Sequence, residues 1–382
     1  MGEFPDQEYK SRTRRLGEMM KSQNLDLLFI SGDENFRYFS GARSLAKWGS
    51  FTRESFAIMD GQNPPSLLVA EAAEDVTKTD GVYTSVESYA DITTSPLEKL
   101  RAILLRLKPK GGKVGFEAGQ EQRIGLPFND FAELISRMSS HGFEFTDASQ
   151  IIWHLRMNKS PLEVECTRQA GKALSRARQL AFDRIRAGMT EKEVSRVLGS
   201  LMYQEGVDEV NFIDVNSGEP RTWWPGEKKL SPGELVYVDA GAIVKGYTCE
   251  WARLATVGQA SKSQKDQHEY LCSIMDSMRK FMRPGVKVAD VFAECNRRYS
   301  ERNPPLEKWG RTGHGQGLNT TELPSVAPYE KIVLAPGMTV SNEPGFINKE
   351  GIYVWEDVYA ITNDSCELLT PEPRDLRQIS TS

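Results

Sequence analysis

The sequence predicts an α/β domain followed by an α+β domain. Three observations carry this. The chain has 382 residues, more than the roughly 100–200 of one domain. Before residue 150, short apolar runs alternate with amphipathic stretches, the pattern of α/β structure. Beyond it, two capped helical stretches precede strands that read as hairpins. The boundary falls in a linker from Ile151 to Ser160, which gives domains 1–152 and 153–382.

In the first domain, Gln7 to Ser22 carries Leu16, Met19 and Met20 at helical spacing. Leu27 to Ser31 is an apolar run stopped by Gly32-Asp33, the look of a buried strand. Ser55–Met59 and Ser66–Ala70 read as strands around the turn signal Gly61-Gln62-Asn63-Pro64-Pro65. A helix is predicted over Pro96–Leu107, a strand over Lys113–Phe116 and a helix over Asn129–Met138. No glycine-rich phosphate loop and no catalytic constellation appears here, so this domain reads as a scaffold or lid. His154, beside apolar residues, is read as structural or solvated.

The second domain opens on strong helix signals. Ser160, Pro161 and Glu163 make a capping sequence for a helix reaching about Ala187. Gly188 ends it, and Thr190 with Glu193 caps a second helix to about Glu205. Leu235–Asp239 and Tyr247–Val257 read as strands joined by a two-residue turn at Lys245-Gly246. That turn pairs Val244 with Tyr247 and Gly241 with Glu250. Alternation then puts Asp239 and Glu250 on one face as diagonal neighbours, roughly 7–8 Å apart. Two carboxylates so placed repel unless a cation or proton lies between them. The small Gly241 leaves room for one, although a solvated hairpin face is the plain alternative.

Further on, a strand from Met338 ends in Glu343-Pro344-Gly345. A strand over Gly351–Ala360 places Glu356 on an otherwise apolar face, which is costly unless the carboxylate is paired or binds metal. Asp357 points the other way. Between these strands and the hairpin lies Arg311-Thr312-Gly313-His314-Gly315-Gln316-Gly317, with one of only four histidines set among glycines that allow close backbone approach.

Composition narrows the function classes. Charged residues are 26%, apolar residues 39% and the net charge is −5, with no basic block, so nucleic acid is not expected as a partner. No run approaches the ~20 apolar residues of a membrane span. The first residues lack a signal-peptide core. Five scattered cysteines without a CxxC pair suit neither a disulfide framework nor a thiolate metal site, and fit a reducing cytoplasm.

The order Asp239, an acid eleven residues on, His314 in GHGxG, Glu343 in EPG and Glu356 in a strand resembles the metallopeptidases that include methionine aminopeptidase, Xaa-Pro aminopeptidase and prolidase, with creatinase as a metal-free relative. The resemblance extends to the Lys159-Ser160-Pro161 linker and the Pro232-Gly233-Glu234 lead-in, and so covers the whole chain. It implies a creatinase-type N-terminal domain and a pita-bread catalytic domain. It also implies two divalent ions: Asp239 terminal on one, Glu250 and Glu356 bridging, His314 and Glu343 completing the other. One nitrogen among hard oxygens suits Mn, Fe, Co or Zn. A hydroxide between such ions is a nucleophile at neutral pH, and Glu343 would serve as general base and acid. The reaction implied is hydrolysis of a peptide or amide C–N bond, by a homodimer.

Three departures from the family pattern stand out. Glu250 replaces the usual Asp. Trp223-Trp224-Pro225 occupies the region of a substrate-contacting His, and Thr321 stands where a second His is usual. These departures support an alternative: a small-molecule enzyme like creatine hydrolase, ectoine hydrolase or dimethylsulfoniopropionate lyase. In that case Trp223 or Trp224 would hold a cation against an indole face. Tyr247, Arg253 and Thr321 are further substrate-binding candidates, Arg253 to orient a ligand carboxylate or Glu356, and in the dimer that the resemblance implies Trp48 is the loop residue suspected of facing the partner's site.

Overall fold

The computed structural model describes residues 3–45, 53–220, 222–302 and 310–382. Trp48 lies outside them. The chain divides into two compact units, Met1–Arg156 and Met157–Ser382.

The first unit runs α1 (Asp6–Ser22), β1 (Leu27–Ile30), α2 (Asp33–Ser40), β2 (Phe56–Met59), β3 (Ser66–Ala70), α3 (Glu74–Asp80), β4 (Ser85–Tyr89), α4 (Leu97–Leu107), β5 (Gly112–Phe116), α5 (Phe128–Ser139), β6 (Phe143–Asp147) and α6 (Ser149–Met157). Its six strands form one mixed sheet in the order β4-β3-β2-β1-β5-β6. Leu27, Phe29, Ile58, Leu68 and Val114 of the sheet pack against Leu100, Leu104, Phe131 and Leu134 of α4 and α5. The predicted elements are present; α2, α3, β4 and β6 are additional. α2 has only eight residues and no side-chain cap, and β4 is half-exposed with a mixed pattern, so neither carries a periodic signal. The expected linker is a correction. Most of it is helix α6, because Ile151, Ile152, Trp153 and Leu155 are buried.

The second unit opens with α7 (Pro161–Arg184) and α8 (Glu191–Gln204), each started by a complete capping box, Ser160 with Glu163 and Thr190 with Glu193. α7 stops at Arg184 rather than near Ala187 because Ile185 is already extended (ψ 141°). Next come β7 (Glu209–Ser217), β8 (Leu235–Val244), β9 (Tyr247–Val257), α9 (Lys262–Arg279) and α10 (Val288–Tyr299). The chain ends with β10 (His314–Gly315), β11 (Glu322–Ser325), β12 (Thr339–Asn342), β13 (Gly345–Asn348), β14 (Gly351–Val354), β15 (Asp357–Ile361), β16 (Cys366–Leu368) and β17 (Arg377–Ile379). One sheet has the order β17-β9-β8-β7, a second β11-β10-β12-β15-β16, and β13-β14 form a separate hairpin.

The β8–β9 hairpin has the predicted register, Val244 with Tyr247 and Gly241 with Glu250. Lys245 (φ 49°) and Gly246 (φ 81°) are both left-handed, the turn that matches strand twist. Val236, Val238, Ala240, Cys249, Trp251 and Ala255 face the apolar core built with Ala170, Leu174 and Ala177 of α7. Alternate residues, Tyr237, Asp239, Gly241, Glu250 and Ala252, face the other way.

The predicted strand Gly351–Ala360 is broken. β14 pairs with β13, and β15 pairs with β12 and β16. At the break, Trp355 N–H bonds Pro344 O (3.3 Å) and Glu356 N–H bonds Ala252 O (3.2 Å), so the chain crosses onto β9.

Candidate metal centre

Strand alternation brings Asp239 and Glu250 onto the face of β8–β9 away from α7. Tyr237 O–H donates to Asp239 Oδ2 at 2.7 Å, and Gln316 Nε2 donates to Glu250 Oε1. The space above Gly241, expected to be open, is taken by Phe212: a Cβ on Gly241 would lie 2.7 Å from its ring.

His314 arrives on β10, wedged between β11 and β12. The glycines beside it are needed for this. A Cβ at Gly313 would lie 2.1 Å from Ser341 O, and one at Gly315 would lie 2.2 Å from Leu323 O. His314 Nε2 lies 3.2 Å from Glu250 Oε1 and 3.8 Å from Glu343 Oε1. Its Nδ1 lies 3.1 Å from Gly315 O. Glu343 follows β12, and its N–H bonds Thr312 O at 2.9 Å. Glu356 sits at the strand break, where Arg253 Nη1 donates to its carbonyl. Ligand atoms of Glu250, His314 and Glu356, all buried, lie within 4.8 Å of one another.

Burial and mutual repulsion raise the proton affinity of Asp239, Glu250 and Glu356. Burial and the neighbouring Glu343 and Asp214 charges push Asp239 up to about 8. Burial, then the other acids, push Glu250 and Glu356 well above the ordinary carboxylate range. Asp239 Oδ1 and Glu356 Oε1 are buried without a hydrogen-bond partner. Buried acceptors of this kind are costly unless something else satisfies them. A donor set of one imidazole and four carboxylates, with two orphaned oxygens, fits divalent cations of the Mn, Fe, Co and Zn group.

The other predicted residues divide. Tyr247 and Arg253 are not brought to the centre, because odd-numbered positions of β9 face α7. Tyr247 O–H bonds Glu163 Oε1 at 2.8 Å, and Arg253 is buried against Asp357 (2.7 Å) and Glu372 (3.0 Å). Arg253 thus positions Glu356 through its backbone and has no surface for a substrate. Asp357, which the sequence places on the face opposite Glu356, is one of its partners. Trp223 is 42% exposed and packs edge-on against Tyr237 at 6.3 Å, beside the centre. Trp224 is 73% exposed. Thr321 accepts a hydrogen bond from Arg311 Nη2 at 3.2 Å.

Sequence reasoning missed Tyr237, Gln316, Asp214 and Arg311. Asp214 pairs across from Asp239 on β7, a relation hidden because the β7–β8 connection is long. Gln316 was visible two residues after His314, on the same side of an extended segment.

Residues 165–363 match metallopeptidase family M24, and residues 12–158 match the creatinase/prolidase N-terminal domain. The chain is 25% identical over 372 residues to the Xaa-Pro dipeptidase of Pyrococcus horikoshii, covering 96% of this chain and 98% of that protein. The crystal structure of the prolidase from Pyrococcus horikoshii OT3 superposes with a TM-score of 0.83 at 24% identity, covering 96% and 99% of the two chains. Dipeptidase PepE from Mycobacterium ulcerans gives 0.84 at 22% identity, covering 99% and 100%.

Proposed function

This chain belongs to metallopeptidase family M24 and is a metal-dependent hydrolase of peptide C–N bonds, and on that premise we propose that it cleaves Xaa-Pro dipeptides. The observation that carries the proposal is the convergence of Glu250, His314 and Glu356 within 4.8 Å, with Asp239 and Glu343 beside them. Asp239, Glu250, His314, Glu343 and Glu356 would hold two divalent ions of the Mn, Fe, Co and Zn group. Bound there, the ions would supply Lewis-acid polarisation of the scissile carbonyl and activation of water.

The chain's own residues supply the rest. Glu343 is 28% exposed, whereas Glu250 and His314 are nearly enclosed. It is therefore the carboxylate placed to take a proton from the attacking water and return it to the leaving imino nitrogen. Gln316 and Tyr237 orient Glu250 and Asp239. Thr321, through Arg311, and Trp223, through Tyr237, are the substrate-side candidates nearest the centre.

Relatives that match nearly end to end are named Xaa-Pro dipeptidases, which does not favour the small-molecule alternative. A cytoplasmic homodimer belongs to the same reading. Five free cysteines and the absence of any described helix long and apolar enough to cross a membrane support the location; the family resemblance supports the dimer.

The test is turnover of an Xaa-Pro panel, including Leu-Pro and Met-Pro, against Leu-Leu as control, after loading with Mn²⁺, Fe²⁺, Co²⁺ or Zn²⁺. Hydrolysis confined to the Pro substrates and abolished by chelation is expected. No turnover with any ion would overturn the proposal.

A further inference from the structure

We propose that Asp214 binds a protonated side chain on the N-terminal residue of the substrate and so directs the centre toward dipeptides with Lys or Arg before Pro. The inference rests on the dipeptide reading above.

β7 places Phe212 opposite Gly241, Asp214 opposite Asp239 and Asn216 opposite Tyr237. Residues paired across strands share a face, so this row borders the centre. Asp214 is half-buried there, and it makes no hydrogen bond or ion pair with described residues. It is not among the ligand groups gathered within 4.8 Å. The four acids assigned to the ions, Asp239, Glu250, Glu343 and Glu356, are matched in charge by two divalent cations. Asp214 is the carboxylate left over. Asn216 supplies an independent observation. Its Nδ2 donates to Thr222 O at 3.0 Å, while its Oδ1 is buried without a partner. Such an acceptor is costly unless a donor reaches it. A charged and a neutral acceptor thus stand two residues apart on one strand, roughly 6.8 Å at their Cα atoms. An ammonium or a guanidinium, each with several donors and no acceptor, fits them.

Distance separates a side-chain cation from the α-ammonium. Every dipeptide carries its α-ammonium on the carbon joined to the scissile carbonyl, so that group stays close to the acids of β8 and β9. Asp214 lies one strand further out, roughly 4.7–4.9 Å beyond Asp239. A lysine or arginine side chain spans that gap, with its stem along apolar surface and its charged head among polar groups. Trp223 offers such a surface. It packs edge-on against Tyr237 at 6.3 Å and follows Thr222, the partner of Asn216.

The test uses the Mn²⁺-loaded protein and its Asp214→Asn and Asp214→Glu variants. The kcat/KM is measured for Lys-Pro, Arg-Pro and norleucyl-proline, which resembles Lys-Pro in shape but lacks the charge. Binding of L-lysine and L-norleucine is followed by calorimetry. The ratio of Lys-Pro to norleucyl-proline is the readout, because a general loss at the centre cancels in it. Wild type should prefer Lys-Pro and Arg-Pro about tenfold, mainly through KM. Asp214→Asn should abolish that preference, and Asp214→Glu should keep part of it. No preference in wild type, a preference unchanged in Asp214→Asn, or equal losses for charged and uncharged substrates would overturn the inference. Equal losses would mean that the carboxylate serves the α-ammonium or the ions instead. If no dipeptide is turned over, the Xaa-Pro reading fails. Asp214-dependent binding of lysine over norleucine would then still sustain the cation pocket, and its absence would overturn that as well.

Discussion

The two faces of β9 carry charge in opposite ways. On the face toward α7, Arg253 is buried and fully engaged by Asp357, Glu372 and the Glu356 carbonyl. On the other face, three residues back, Glu250 is equally buried but surrounded by carboxylates that raise its proton affinity. Neighbouring Asp239 and Glu356 each leave a buried oxygen without a partner. Burial alone therefore does not separate structural from functional charge; matching does. A matched charge is part of the fold, while an unmatched set is held in place by the rest of the fold and waits for a cation.

Neutralising the unmatched face should have the largest effect. Glu356→Gln keeps the size and removes the charge. Metal content should fall, and kcat should drop on the order of 10³-fold, about 4 kcal/mol of barrier. The metal-free variant, relieved of repulsion, should melt higher than metal-free wild type at pH 8. If it melts lower, the carboxylates are not in conflict and the comparison fails.

The matched face should respond in the opposite sense. Arg253→Leu leaves Asp357 and Glu372 buried with fewer partners, although Arg374 (3.3 Å) and Arg178 (2.7 Å) remain. A loss of about 3 kcal/mol, at the lower end for a broken buried pair, is expected in urea unfolding. A loss below about 1 kcal/mol would mean that the remaining arginines suffice, by the scale of a single ordinary hydrogen bond.

Solution pH sharpens the contrast further. Asp239 is raised from 3.8 to about 8 in the folded state, and Glu250 and Glu356 are raised as well. Above the unfolded value the folded protein therefore binds more protons than the unfolded chain, and stability falls as pH rises through this window. Metal-free protein should lose melting temperature steadily from pH 5 to pH 8. Saturating Mn²⁺ should flatten or reverse the slope, since a bound cation replaces the protons. A metal-free melting temperature that rises over this range would contradict the raised values.

How much of this was legible in the sequence depended on whether a local rule set it. The β8–β9 register was readable because the Lys245-Gly246 turn determines every pair above it. The helix starts at Ser160 and Thr190 were readable for the same reason. The break at Trp355-Glu356 was not, because it depends on hydrogen bonds to Pro344 and Ala252, both distant contacts. Reading 351–360 as one strand put Glu356 in the right company and Asp357 in the wrong one. Tyr247 and Arg253 were drawn to the centre by resemblance, although alternation from Glu250 already placed both on the opposite face. Phe212 over Gly241 needed the β7 pairing, which no turn signal announces.

The smallest effect separates the two faces most cleanly. Tyr247→Phe removes one hydroxyl that donates to Glu163 Oε1 at 2.8 Å, on the α7 side of the sheet. The ring stays and no cavity opens, so the loss is one buried hydrogen bond to a charged acceptor, about 1–2 kcal/mol in urea unfolding. Glu163 also accepts the Ser160 N–H in the capping box at 2.8 Å, so its carboxylate keeps a partner and the start of α7 holds. Glu250 reaches the centre from the alternate position, so kcat, KM and metal content should be unchanged within error. A rise in KM with stability intact would return Tyr247 to the substrate side and show that β9 does not separate its two faces as its alternation requires.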